Sequence, residues 1–310
     1  MKVLVTGANG FVGRSVVRRL LADGNSVIAA VGPGASGNPA GKNVATVPID
    51  LSNDVSVRAC FAEPVDAVIH LAAIALSRAA DRDPAGAWTI NAEGTAKLTA
   101  ALSVASAKWK TQPLFLLAST ADVYAWQKRP IKEEDAVQPS TPYSASKLGA
   151  ELITQQAARC SGLRVMIARP FPASGAGQDE SFWIPARSRL LREVKRNGWA
   201  VVPVGDLTAV RDFVHVDDVA DAYALLLQRG IPGEVYNIAS GQAVTLEEIH
   251  TEIERQLGIS PKREVDGSQI RREARPYLVG DAAKLRATTG WSPRRTMDDI
   301  VKDVLDAQTN

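Results

Sequence analysis

The sequence is poor in the residues that build metal clusters and disulfide scaffolds. Its 310 residues include two cysteines, Cys60 and Cys160, and three histidines, His70, His215 and His250, all far apart. With no Cys-x-x-Cys and no paired spacing, this argues against a disulfide framework and against a zinc site, so reduced thiols and no metal are expected. Charge of one sign is scarce too. Thirty-six Lys+Arg against 34 Asp+Glu leave a net charge of +2, too little for a general pull toward nucleic acid or an anionic membrane. Long apolar runs are absent: the longest, Ala67 to Leu76, is interrupted by His70 and falls well short of a bilayer span. The opening Lys2-Val3-Leu4-Val5-Thr6-Gly7 has the length of a strand, not of a secretory h-region. The expected setting is therefore cytoplasmic, with neither nucleic acid nor membrane as a partner.

What the sequence has instead is alternation. Val3–Val5, Ser26–Val31, Ala67–His70, Leu114–Leu117 and Arg164–Ile167 are short and almost wholly apolar, as strands covered on both faces must be. Between them lie longer amphipathic stretches, notably Phe11–Ala22, Ala85–Ala107 and Ser144–Arg159. Strand–helix–strand repetition implies a parallel sheet with right-handed crossovers. A Gly/Pro-rich stretch over residues 32–41 breaks the pattern and reads as an exposed loop. From about Asp179 the texture changes. Helices at Asp217–Gln228, Leu246–Leu257 and Met297–Ala307 mix with strands at Val201–Val204 and Glu234–Ile238, suggesting a second, smaller lobe.

Three glycines, Gly7, Gly10 and Gly13, follow the first strand and open the first helix. That placement suits a tight turn that brings backbone N–H groups and a helix N-terminus against a pyrophosphate. The second strand ends in Val31-Gly32-Pro33, with no carboxylate to grip a ribose 2′-hydroxyl or repel a 2′-phosphate. Arg14 or Lys42 could neutralise such a phosphate, so NAD and NADP both stay open as cofactors.

Tyr143 and Lys147 stand four apart after Pro142, a good first helical residue, and so share one helix face. A nearby ammonium and a cationic nicotinamide would draw a phenol toward working pH. Read alone, the pair is equally an aromatic core residue beside a surface lysine. Ser119-Thr120 follows the Leu114–Leu117 strand, where a hydroxyl faces the cleft at the carboxyl ends of the strands. It is equally placed to cap a turn. The joint occurrence of glycine turn, hydroxyl and Tyr/Lys pair, in that order, favours a catalytic constellation.

With these pieces the whole chain resembles the extended short-chain dehydrogenases/reductases, the group of nucleotide-sugar epimerases, dehydratases and reductases. Further matching segments are Asp50-Leu51, His70-Leu71-Ala72-Ala73, Asn91 to Thr95, Arg169-Pro170, Val210 to Asp218, Gly280-Asp281 and Thr289 to Pro293. The resemblance implies a Rossmann-type doubly wound parallel sheet over residues 1–178 and a smaller C-terminal α/β substrate lobe over 179–310, with some crossing back of the chain. It implies Thr120, Tyr143 and Lys147 as the catalytic trio. Gly7, Gly10, Phe11, Val12, Gly13, Asp50, Leu51, Leu71, Ala72, Ala73, Asn91 and Pro170, with Tyr143 and Lys147, would bind NAD or NADP. Thr120, Arg211 and Arg271 would hold a nucleotide-sugar substrate, and the helices Ala85–Ala107 and Ser144–Arg159 would pair two copies into a homodimer.

Val204 to Phe213 and Val235 to Ile238 look most similar to reductases of GDP-4-keto-6-deoxymannose. Three departures fall at the sugar end. Pro172 stands where the group usually has asparagine, Ala274 where it often has a carboxylate, and Ile74-Ala75-Leu76 where polar residues are usual. The 4,6-dehydratases carry two acidic groups after the catalytic threonine, whereas here Ala121 and Asp122 follow Thr120. Elimination has lost an acid–base partner; hydride transfer keeps its full set. The resulting expectation is 4-keto reduction of a GDP-linked 6-deoxyhexose, with an NDP-hexose 4-epimerase as the alternative and a non-catalytic dinucleotide sensor ranked below both.

Overall fold

In the computed structural model, which describes residues 1–33, 44–267 and 276–308, the apolar runs become neighbours in one sheet. The first half of the chain alternates β1 (Lys2–Thr6), α1 (Phe11–Ala22), β2 (Ser26–Val31), β3 (Ala45–Pro48), α2 (Asp54–Ala59) and β4 (Ala67–His70). It continues with α3 (Ser77–Arg82), α4 (Pro84–Trp88), a π-helical turn (Thr89–Glu93), α5 (Gly94–Trp109), β5 (Leu114–Ala118), α6 (Pro142–Ser161) and β6 (Arg164–Pro170). Then come β7 (Ala173–Ser174), α7 (Trp183–Asn197), β8 (Val201–Val204), β9 (Val210–Arg211), β10 (Val214–His215) and α8 (Val216–Arg229). The described elements close with β11 (Val235–Ile238), β12 (Val244–Thr245), α9 (Leu246–Leu257), β13 (Lys262–Val265), β14 (Tyr277–Leu278), α10 (Ala283–Thr289) and α11 (Met297–Ala307).

Seven strands form the main sheet in the order β11-β6-β5-β4-β1-β2-β3, and every pairing in it is parallel. Strand order reverses between β1 and β4, and ligands of such sheets bind in the crevice that this reversal opens at the carboxyl ends. Leu4 and Val68 face one layer of helices, built on Leu98, Leu102 and Ala150 from α5 and α6. Val3, Val5 and Ile69 face the other, built on Val16 and Leu20 of α1 and Tyr223 and Leu226 of α8. The result is a Rossmann-like α/β fold, three layers deep.

A third apolar core lies apart, formed by Ile184, Leu191 and Val194 of α7, Ile249 and Ile253 of α9, and Ile300 and Val304 of α11. It belongs to the C-terminal part of the chain. That part is not wholly separate, because β11 completes the edge of the main sheet and α8 packs along α1.

The helix expected over Ala85–Ala107 is not continuous. Asp83 caps α4, whose first residue is Pro84, and the π-helical turn then inserts an extra residue before α5. Such a bulge re-aims a side chain. Here it turns Asn91 inward, where Oδ1 accepts from Ile74 N (2.8 Å) and Nδ2 donates to Ile74 O (3.1 Å) and Ser146 Oγ (2.9 Å). Among the described residues, no helix is long and apolar enough to cross a membrane.

Candidate active site

β1 ends at Thr6, and the chain turns at once. Gly7 takes φ +67°, a left-handed conformation costly for any residue with a Cβ, and Gly10 N donates back to Gly7 O at 2.9 Å. A Cβ on Gly7 would stand 2.8 Å from Ala72 N, and one on Gly13 only 2.0 Å from Gly7 O. The glycines thus bring the loop after β1, the start of α1 and the loop after β4 into backbone contact. Gly10, the N-cap of α1, has no side chain to cover the first turn, and no acidic residue lies in that turn. A cradle of bare backbone at a positive helix end fits the pyrophosphate of a dinucleotide.

The cradle opens into a cleft of about 1220 Å³. Drug-sized ligand sites reach about 1,000 Å³, so this volume suits a dinucleotide with a second molecule beside it. Gly7, Gly10, Phe11, Val12 and Gly13 line it, as do Leu71, Ala72, Ala73 and Pro170. Asp50 and Leu51 stand off the wall: the Asp50 carboxylate accepts from Ser52 N at 2.9 Å and from Ser52 Oγ, and Leu51 is buried beside Gly94. Asn91 is likewise behind the wall, where it shapes the loop at Ile74. Arg14 donates to the carbonyls of Asn9 and Gly177, both at 3.0 Å, which ties the glycine loop to the segment after β7. Lys42 lies outside the described residues.

At the other end of the cleft Thr120, Tyr143 and Lys147 converge. Thr141 and Ser144 cap α6 reciprocally and Pro142 is its first residue, so Tyr143 is held in the first turn with Lys147 one turn on. Ser146 Oγ, which donates to Tyr143 O and accepts from Asn91, anchors that turn. Thr120 follows β5. Its Oγ1 accepts from Asp122 N at 3.2 Å and also meets the Tyr143 hydroxyl, so turn capping and phenol contact coexist in one residue.

Electrostatics here are governed by burial. Burial pushes the Tyr143 phenol above its ordinary value and the Asp122 carboxylate adds to that, while the Thr120 hydrogen bond opposes it. Among what the protein itself supplies, withdrawal from water is the largest influence on the phenol, and the Thr120 hydrogen bond is what opposes it. Lys147, almost fully buried, is pulled down to about 8, with Glu151 opposing the fall.

Arg211 sits on β9 with its guanidinium turned to Val210 O at 2.9 Å and is not among the cleft-lining side chains; Arg271 and Ala274 lie outside the described residues. The wall carries other cations that the sequence reading had not singled out: Arg78 on α3, and Arg187 and Arg189 on α7. Arg187 donates to Pro203 O at 2.9 Å and lies over the Trp183 ring. The available signal was the i, i+4 pairing of Trp183 with Arg187, hidden in a strongly basic helix. Several residues of the 210–218 motif prove structural. Asp212 accepts from Ser240, Gly241 and Gly280 N–H groups, His215 caps α8, and Asp218 receives Arg295 and Trp291.

Comparison with known proteins agrees with this geometry. Residues 3–239 match the NAD dependent epimerase/dehydratase family. GDP-6-deoxy-D-mannose reductase of Pseudomonas aeruginosa is 34% identical, with 98% of this chain and 96% of that protein aligned. UDP-glucose 4-epimerase of Streptococcus mutans is 29% identical over 99% and 96% of the two chains. Among solved structures, that of RMD from Pseudomonas aeruginosa complexed with NADPH superposes with a TM-score of 0.84 at 33% identity, covering 99% of this chain and 98% of that one. UDP-glucose 4-epimerase of Thermotoga maritima with UDP-glucose gives 0.87 at 25% identity, covering 100% and 99%.

Proposed function

The chain belongs to the NAD dependent epimerase/dehydratase family, and from that premise we propose that it is an NAD(P)-dependent oxidoreductase of nucleotide sugars that reduces the 4-keto group of a GDP-linked 6-deoxyhexose. The single observation that carries the reduction is the likeness, over nearly the whole chain, to a GDP-6-deoxy-D-mannose reductase, and the cleft brings together the hydride-transfer trio Thr120, Tyr143 and Lys147. Tyr143, protonated at neutral pH, is the proton donor that a developing alkoxide needs.

The bound nicotinamide dinucleotide supplies the hydride. The backbone at Gly7, Gly10 and Gly13 with the first turn of α1 holds its pyrophosphate, Phe11, Val12, Leu71 to Ala73 and Pro170 shape the walls, and Asp50 and Leu51 are the candidates for the adenine end, with Asn91 acting through the Ile74 loop. Thr120 Oγ1 orients the substrate oxygen, Tyr143 Oη gives it a proton, and Lys147 Nζ stabilises the phenolate left behind while binding the ribose. Arg187, Arg189 and Arg78 are the cleft cations suited to a diphosphate; Arg211 and Arg271 remain candidates for the same task. A nucleotide sugar and a nicotinamide dinucleotide occur together in the cytoplasm, which is the setting this reaction requires, and we assign the active form as a homodimer.

A 4-epimerase is the second reading, favoured by the likeness to UDP-glucose 4-epimerases across nearly the whole chain. Its first step removes a hydroxyl proton, the reverse of the proton donation above, and uses the same three side chains. Incubating the protein with a GDP-4-keto-6-deoxyhexose and NADPH or NADH separates the two. The expected outcome is loss of reduced cofactor in proportion to product. Unchanged cofactor, with UDP-hexoses interconverted in its absence, would establish the epimerase instead.

A further inference from the structure

Behind the catalytic groups lies a buried carboxylate with no place in the reaction above. Glu151 stands one turn beyond Lys147 and two beyond Tyr143 on α6, 1% exposed. Its Oε1 accepts from Arg169 Nε at 2.9 Å, its Oε2 from the Arg169 guanidinium at 2.6 Å, and it also accepts from Ser119 Oγ. Ser119 immediately precedes Thr120, and Arg169 immediately precedes Pro170, two residues of the cleft wall. One carboxylate therefore joins α6 to the carboxyl ends of β5 and β6, directly beneath the site.

A buried ion pair is weak evidence for stability, because desolvating two charges offsets their attraction. The position of this one relative to Lys147 gives it another use. The charged and titratable groups around Lys147 come from three sides: His70 on β4, Tyr143 and Glu151 on α6, and Arg169 on β6, itself stacked over the Tyr124 ring at 4.6 Å. Asp122 acts on Tyr143, and Glu133 lies beyond Tyr124. His70 is held neutral by burial and by Lys147 itself, so among the groups nearest the ammonium Glu151 supplies the negative charge.

Resting on the catalytic assignment of Lys147 above, we infer that Glu151 is a positioning residue, whose buried carboxylate keeps the Lys147 amine charged in the closed pocket and fixes Ser119, and with it Thr120, against Arg169. With the carboxylate in place Lys147 lies near 8; without it the amine would give up its proton at lower pH. The ion pair in the molecule is thus an electrostatic support of the site, and its worth is read in pH dependence.

The test compares wild type, E151Q and the double variant E151Q/R169M, in which no guanidinium is left buried without a partner and folding is retained if the single variant fails to fold. For each, the pH profile of kcat/KM is measured with ketone and reduced cofactor, and the Lys147 amine is titrated by NMR on lysine-labelled protein. Removal of the carboxylate is expected to move the alkaline limb and the amine titration down together by about one pH unit. The deficit is then small at pH 6 and about five- to tenfold at pH 8 and above. A uniform loss at every pH, or an amine that titrates as in the wild type, overturns the inference and leaves a purely structural pair. If wild type turns over no ketone while the amine titration still shifts, the role of Glu151 stands and the reductase assignment falls.

Discussion

At the scale of single residues the site is a contest between burial and charge. Tyr143 is lifted by burial and by Asp122, while Thr120 is the one group that lowers it. A phenol so placed gives up its proton only as the substrate oxygen takes on charge, which is the behaviour wanted of a general acid. Tyr143→Phe keeps the ring and its packing and removes only the proton. Its kcat is expected to fall by about 10²- to 10⁴-fold, the usual contribution of a positioned proton donor, with the affinity for reduced cofactor, read by fluorescence titration, nearly unchanged. A variant turning over at the wild-type rate would return the chain to the non-catalytic reading. Residue-level legibility followed the same division. Gly7, Gly13, Tyr143 and Lys147 could be found from type and spacing, because glycine and a Tyr/Lys pair on one face have few equally good uses. Glu151 and Arg187 could not, since an acid on a helix and an arginine in a basic helix read as solvated charges until burial is known.

Elements show where tertiary context takes over. β1, β2, β4, β5 and β6 were legible since each is covered on both sides and so apolar nearly throughout. β3 was not: it is an edge strand with three of its four residues exposed, and little about Ala45–Pro48 separates it from loop. The π-helical turn was invisible because its cause is the distant pairing of Asn91 with Ile74 and Ser146. α7 was missed because six charged side chains in Trp183–Asn197 conceal the apolar series Ile184, Leu191, Val194.

The pairing of β1 with β4 carries a pH-dependent weakness. Thr6 and His70 are register partners, and the ring bridges Thr6 Oγ1 at 2.7 Å and Thr95 Oγ1 at 3.1 Å. Burial first and the Lys147 charge second hold His70 down to about 3, whereas the unfolded chain takes up the proton near the ordinary histidine value of about 6.5. The folded state therefore binds fewer protons than the unfolded one between those two values. Stability is full above about 6.5 and is lost as pH falls through that window, by about 2 kcal/mol at pH 5. Denaturant midpoints measured from pH 7 to pH 5 should show this loss, and His70→Gln, which cannot titrate, should flatten it. Equal slopes for the two proteins would place the acid sensitivity elsewhere.

For the whole molecule, the two apolar cores of the main sheet and the third core are stitched by the chain rather than divided at one boundary. Residues from beyond 179 complete the main sheet through β11 and cover α1 with α8, while Arg14 reaches across to Gly177. The glycine cradle and the cations of α7 are thereby held on opposite sides of one cleft. The outer side of the α5/α6 layer is the surface left over. These helices pack together, yet Val104 on α5 is 59% exposed and Leu152 on α6 57%, with Trp88 of α4 50% exposed nearby against Gly149. Scattered apolar residues on a surface are ordinary, but three of them on adjoining helices, none of them lining the cleft, suit a second copy of the same surface related by a two-fold axis. Light scattering at micromolar concentration is expected to give twice the chain mass for the wild type. Replacing Val104 with glutamate and Leu152 with arginine places charge in the middle of that face and is expected to give the single-chain mass with the fold retained by circular dichroism. A wild type that scatters as one chain, or a variant that still scatters as two, removes these helices as the interface.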